Sequence, residues 1–231
     1  MTTSTTLIKT LITRCILVVI LAIAFGYIEA AVVVYLRQIF HPAGFDFPLL
    51  PFGLTETAGK MLLVEIGREA ATLVLILSAC LLIGQNRRER LAYFLIIFAV
   101  WDIFYYVFLK LILGWPASIT DWDVLFLIPV PWAGPVLAPV IVSVIMLVFA
   151  GVTVYRDWAG RPIITDSWDW LGFSIAALVI VASFCNAGRF MQSADFATHF
   201  SWTFFGAGVL GAAVLFAKCV YKKESPGKPG G

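Results

Sequence analysis

Six runs of about 20 predominantly apolar residues follow one another along this chain, each long enough to cross a ~30 Å hydrocarbon core as an α-helix. Backbone in hydrocarbon must satisfy its own hydrogen bonds, which leaves helices or closed barrels. Continuous apolar runs, without the alternation of a barrel strand, select helices. Of 231 residues, 61% are hydrophobic and 13% charged, and the mean hydropathy is +0.95, more apolar surface than a soluble domain can hide from water. The expectation is an all-α, polytopic membrane bundle forming a single domain over residues 1–221, with a short disordered basic tail at 222–231. The spans are placed at roughly 13–36, 61–83, 91–113, 135–155, 169–187 and 200–221.

Net charge is only +2, but the positive residues are unevenly distributed. Lys9 and Arg14 precede the first run, Arg87, Arg88 and Arg90 follow the second, Arg156 and Arg161 follow the fourth, and Lys218, Lys222 and Lys223 close the sixth. The intervening connections carry only Arg37, Lys60, Lys110 and Arg189. Basic residues concentrate in cytoplasmic loops, so both termini are expected inside, and the setting is expected to be a bacterial cytoplasmic membrane. The first run stays apolar past Ala22-Ile23-Ala24 as far as Tyr35, which predicts a span and not a cleaved signal peptide. The four cysteines form no CxxC and read as small buried apolar residues, with no disulfide framework.

From Asp123 to Tyr155 the chain is apolar for longer than one upright helix needs, and Pro129, Pro131, Pro135 and Pro139 interrupt its first half. A helix beginning near Pro135 places that proline in the first turn, where a missing amide hydrogen costs least. Residues 122–133, bracketed by Trp122 and Trp132, are then expected on the outer side. Lying in the interface is favoured over entering the membrane and returning.

Four carboxylates fall inside these spans: Glu29, Glu65, Glu69 and Asp102. Ionised groups in hydrocarbon cost on the order of 2.5–3.5 kcal/mol each at the helix centre, so such residues mark a functional site until shown otherwise. With an outward first span, Glu29 stands about seven residues, or roughly 10 Å, from its outer end. Glu65, Arg68 and Glu69 lie in the outer half of the second span at i, i+3 and i+4, on one face, so Arg68 can reach back to Glu65. Asp102 is midway along the third span, with Tyr105 and Tyr106 a turn further out. The candidate substrate- or ion-binding residues are therefore Glu29, Glu65, Arg68, Glu69, Asp102 and Tyr105. Arg68 is their only deeply placed cation, so some carboxylates are expected to be protonated, hydrated or matched by a bound cation.

Other motifs carry less. Asp121-Trp122-Asp123 has the letters of a metal-binding DxD, yet a turn or helix start explains it, and Asp166-Ser167-Trp168-Asp169 reads as a helix cap. The two histidines, His41 and His199, are too few for a metal or haem site, and no cofactor or metal is expected. Most of the eight tryptophans sit at span ends as an aromatic belt. Trp101, mid-span, either packs in the bundle or lines a polar cavity. Small residues at Ala207, Gly208, Gly211 and Ala212 would let another helix approach the sixth span closely.

Three functions fit. The first is binding or transport of a proton, cation or amine-bearing small solute in an outward-facing site. The second is an accessory subunit with membrane-protein partners. The third is a membrane-embedded acid–base enzyme acting on a lipid or isoprenoid substrate. The bilayer is the constant partner, and nothing points to nucleic acid.

Overall fold

The computed structural model describes residues 2–49 and 56–222, with side chains described from Ile12 and from Gly59 in the two segments. The proposed tail after Lys222 lies outside the described residues. Six helices form: α1 (Thr2–Phe40), α2 (Glu56–Ile83), α3 (Arg87–Leu113), α4 (Leu137–Trp158), α5 (Ser167–Gly188) and α6 (Trp202–Tyr221). Each is long and apolar enough to cross a membrane. The chain is an all-α integral membrane bundle.

The ends of the helices follow from local chemistry. Asn86 caps α3, its side chain accepting the Glu89 N–H at 3.0 Å, and Gly114 ends the helix in the left-handed conformation. Asp166 and Asp169 form a reciprocal capping box at the start of α5, as expected of that motif. Their carboxylates also take Lys218 and Lys222 from the end of α6, at 2.6–2.9 Å, tying α5 to α6 at this end.

The region expected to lie in the interface folds as a hairpin against the helices. Residues Trp122–Phe126 (β1) and Trp132–Pro135 (β2) pair as an antiparallel hairpin with a bulge between Val124 and Phe126. Its tip runs into the bundle. Phe126 packs against Phe98 and Trp101 of mid-α3, and Trp132 stacks on Phe184 of α5. Gly188 of α5 lies so close to the tip that an added Cβ would fall 1.9 Å from the Pro131 carbonyl oxygen. Non-helical backbone is tolerated at membrane depth only when enclosed by protein; α2, α3 and α5 cover the hairpin at Leu127, Phe126 and Trp132, while Pro129 and Val130 at its turn stay exposed. The prolines block a helix here without breaking the ladder, since they sit in the tip and at the end of β2. Helix α4 consequently starts two residues later than expected, and Pro139, instead of Pro135, occupies its first turn.

Packing divides the helices. α3 lies centrally, against α1, α4 and, less extensively, α2, while α5 pairs with α6 and reaches the rest chiefly through β2. One core joins α1, α2 and α3 around Val18, Ile76, Tyr93, Ile97 and Trp101, and a second joins α4, α5, α6 and the hairpin around Ala138, Phe184 and Phe205. Trp101 therefore packs in the bundle. Of the small residues in α6, Gly208 abuts Ala176 and Ile180 of α5, whereas Gly211 faces open space. Trp158, Trp168, Trp170 and Trp202 are exposed near helix ends, as a belt requires, but Trp122 turns inward onto Phe196 and Phe200.

Candidate functional site

Gly26 sets the first element of the site. A Cβ there would stand 3.0 Å from the Trp101 carbonyl oxygen, so the absence of a side chain lets α1 lie against α3. One turn further along α1, Glu29 meets Arg68 of α2. Arg68 is the hub: its Nη1 donates to Glu29, its Nε and Nη2 donate to the two oxygens of Glu65 at 3.0 and 2.6 Å, and Thr72 lies a turn away at 3.5 Å. The Arg68–Glu65 pair is the two-pronged geometry that guanidinium and carboxylate share. Side-chain exposures of 20% for Arg68, 14% for Glu29 and 13% for Glu65 leave the triad incompletely sealed.

Glu69, one residue along the same helix, turns to the hairpin. Its two carboxylate oxygens accept the backbone N–H of Leu127 at 2.9 and 3.2 Å. The tip of a re-entrant hairpin has amides that no ladder partner reaches, and here an acidic side chain from α2 takes one of them.

The other two expected members stand elsewhere. Asp102 accepts a hydrogen bond from Ser143 of α4 at 2.8 Å, on the face of α3 that meets α4. Tyr105 donates to Asp123 of β1 at 3.1 Å. Asp123, assigned to a turn from the sequence, is instead 2% exposed and ion-paired with Arg37 at 3.0 Å. Its neighbour Asp121 does make the turn, accepting the N–H groups of Ala117 and Ser118 at 2.7 and 3.1 Å.

Arg37, expected in a connection and outside the cluster of Arg68, is a second deep cation. It is 6% exposed, and its guanidinium lies over the rings of Phe45 and Trp115 at 4.0 and 3.7 Å. Two arginines thus organise the polar interior. Arg68 gathers Glu29 and Glu65 between α1 and α2, and Arg37 gathers Asp123 and, through it, Tyr105 among α1, β1 and α3. The available signal was the unusual presence of an acidic residue, Asp123, inside an aromatic, proline-rich apolar stretch.

His41 sets its ring edge-on to Phe45, the ring that lies under the Arg37 guanidinium. His199 stacks on Phe190 with centroids 3.6 Å apart and approaches Asp195 at 3.3 Å. Among the described residues no group of three or more His, Cys, Asp or Glu is arranged to hold a metal ion. The arrangement offers carboxylate oxygens whose positive partners are shared, which suits a proton or a small cation better than an anion. No family model matches the chain, and neither a curated protein nor a solved structure matches it.

Proposed function

We propose that this membrane protein binds, and carries across the bilayer, a proton, a small cation or an amine-bearing solute, using the carboxylates around Arg68 as the exchange site, with the basic end of the bundle facing the cytoplasm. One observation carries the reading. Among the described residues, Glu29, Glu65, Glu69, Asp102 and Asp123 stand within the bundle with two guanidinium groups, those of Arg37 and Arg68, paired to them. At on the order of 2.5–3.5 kcal/mol for each charge at the membrane centre, leaving three carboxylates ionised and unpaired is expensive, and a proton or cation removes that cost. Glu69 adds a means of coupling, because whatever occupies its carboxylate competes with the Leu127 N–H that holds the hairpin tip.

Acid–base catalysis is less well supported. Glu29 and Glu65 share one guanidinium, an arrangement that leaves net negative charge for a proton or cation but not the two separately held groups, one acid and one base, that catalysis on a substrate needs. The test is flux in proteoliposomes containing purified protein, with an internal pH dye and imposed gradients of pH, of sodium or potassium, and of a primary amine. We expect solute-dependent or passive proton movement above protein-free vesicles, reduced severely in Glu29→Gln and Glu69→Gln proteins that remain folded. Flux indistinguishable from empty vesicles under all gradients, with no carboxyl band titrating in infrared difference spectra, would defeat the proposal.

A further inference from the structure

A second polar site sits at the opposite, basic end of the bundle. A cavity of about 410 Å³ opens there beside Arg14 of α1, the start of α3 and the end of α4. That is within the roughly 300–1,000 Å³ of small-ligand pockets. Its polar lining includes Arg14, Gln85, Arg88, Glu89, Tyr93 and Asp157, and Trp158 forms part of the wall. Arg88 is the second residue of its candidate span and Asp157 the last but one. The cavity therefore lies where hydrocarbon gives way to lipid headgroups, and exposed Tyr155 and Trp158 flank it in the manner of interfacial aromatics.

The hydrogen bonding inside it is incomplete in a particular way. Arg88 Nε donates to Asp157 Oδ2 at 3.2 Å, while Oδ1, 3.0 Å away but off the N–H line, is buried without a donor among the described residues. With its amide turned so that the oxygen accepts, Gln85 takes two N–H groups of Arg14 at 2.9 and 3.1 Å. Glu89 is committed to the Gln85 backbone N–H at 2.9 Å. Each guanidinium has five N–H donors, so Arg14 and Arg88 retain donors for an anion, next to a carboxylate oxygen that lacks one. A bound anion alone would leave Asp157 Oδ1 unsatisfied.

We propose that this cavity binds the headgroup of an aminophospholipid, its phosphate on Arg14 and Arg88 and its primary ammonium donating to Asp157. The chemistry discriminates among lipids. A quaternary choline has no N–H to donate, and a glycerol headgroup brings no cation to the carboxylate.

Native mass spectrometry of the purified full-length protein tests this, with lipids of identical acyl chains bearing ethanolamine, choline or glycerol headgroups. We expect wild type to retain the ethanolamine lipid about tenfold better than the choline lipid, as a charge-assisted hydrogen bond implies. Asp157→Asn should remove most of that preference while still binding phosphate-bearing lipid, and Arg88→Gln should weaken all three. Equal retention of the three lipids by the wild-type protein overturns the proposal, a result that does not depend on any variant folding. Competition by free phosphoethanolamine at concentrations equal to the lipid would also overturn it, assigning the cavity to a soluble solute.

Discussion

The Arg37–Asp123 pair yields the sharpest energetic prediction because its two halves are unequally supported. Remove Arg37 by Arg37→Met, which keeps an apolar stem between Phe45 and Trp115, and Asp123 still accepts from Tyr105 Oη at 3.1 Å and from the Val124 N–H at 3.0 Å. Remove the carboxylate by Asp123→Ala, and Arg37 keeps only the two ring faces, with Nη1 already lacking a hydrogen-bond partner among the described residues. Breaking a buried pair costs about 3–5 kcal/mol, because the survivor is left charged without compensation. Arg37→Met should fall at about 3 kcal/mol, where two remaining hydrogen bonds soften the loss, and Asp123→Ala at about 5 kcal/mol, where cation–π contact returns only ~1–2 kcal/mol. The double variant should then cost about 2–3 kcal/mol less than the sum of the singles, since neither charge is stranded. Unfolding by SDS in mixed micelles, followed by far-ultraviolet circular dichroism, measures all three. Single costs that simply add, to within about 0.5 kcal/mol, would show that the two groups are independent and refute the reasoning.

Three further outcomes are expected. Gly188→Ala should destabilise the protein by several kcal/mol, or prevent assembly, because its Cβ meets the Pro131 carbonyl, whereas Gly211→Ala, facing open space, should change the melting temperature little; equal melting of the two variants would contradict the buried hairpin. The Lys222 ammonium, then the Asp169 N–H, hold the Asp166 carboxyl below its usual range, so its contribution is present above the ordinary value of about 3.9 and lost as pH falls through the lower folded value. Melting temperature followed between about pH 5 and 2 should decline less steeply in Asp166→Asn than in wild type. Finally, a cysteine at Ser118 on a cysteine-free background should react with an impermeant maleimide from outside the cell, and labelling solely from the cytoplasm would invert the topology.

The spans were legible because length and continuous apolarity are properties of the chain alone, and the Arg68–Glu65 contact was legible because i and i+3 share a helix face. The meeting of Glu29 with Arg68 follows from depth, which residue counting supplies. Depth does not supply azimuth. Asp102 is one residue from Trp101, which packs toward α1 and the hairpin, and this step of about 100° turns Asp102 onto Ser143 of α4. The Arg37–Asp123 pair joins residues 86 positions apart across an element whose shape periodicity could not reveal. Proline spacing identified residues 122–133 as non-helical, but the choice between interface and interior rested on whether the tip amides could find partners. Glu69 provides such a partner from a helix nearly 60 residues earlier.

These polar contacts matter more here than the same contacts would in water. Lipid tails are as apolar as leucine side chains, so burial supplies little preference for one helix arrangement over another, and close packing and hydrogen bonds decide. Helix α2 packs chiefly on α3, and its lipid-facing surface of Leu63, Val64 and Leu82 would suit many positions around the bundle. What specifies its place is the Arg68 link to Glu29 of α1 and the Glu69 link to Leu127 of the hairpin. Both links end on carboxylates, the groups to which a proton or cation would bind. Neutralising Glu29 weakens the hold of α1 on α2, and neutralising Glu69 weakens the hold of α2 on the hairpin tip. The hairpin in turn is the main contact between the α5–α6 pair and the remaining helices. Under the proposed carrier function, occupancy of these carboxylates would bias the relation between the two halves of the bundle, the coupling that carrying a solute across a membrane requires.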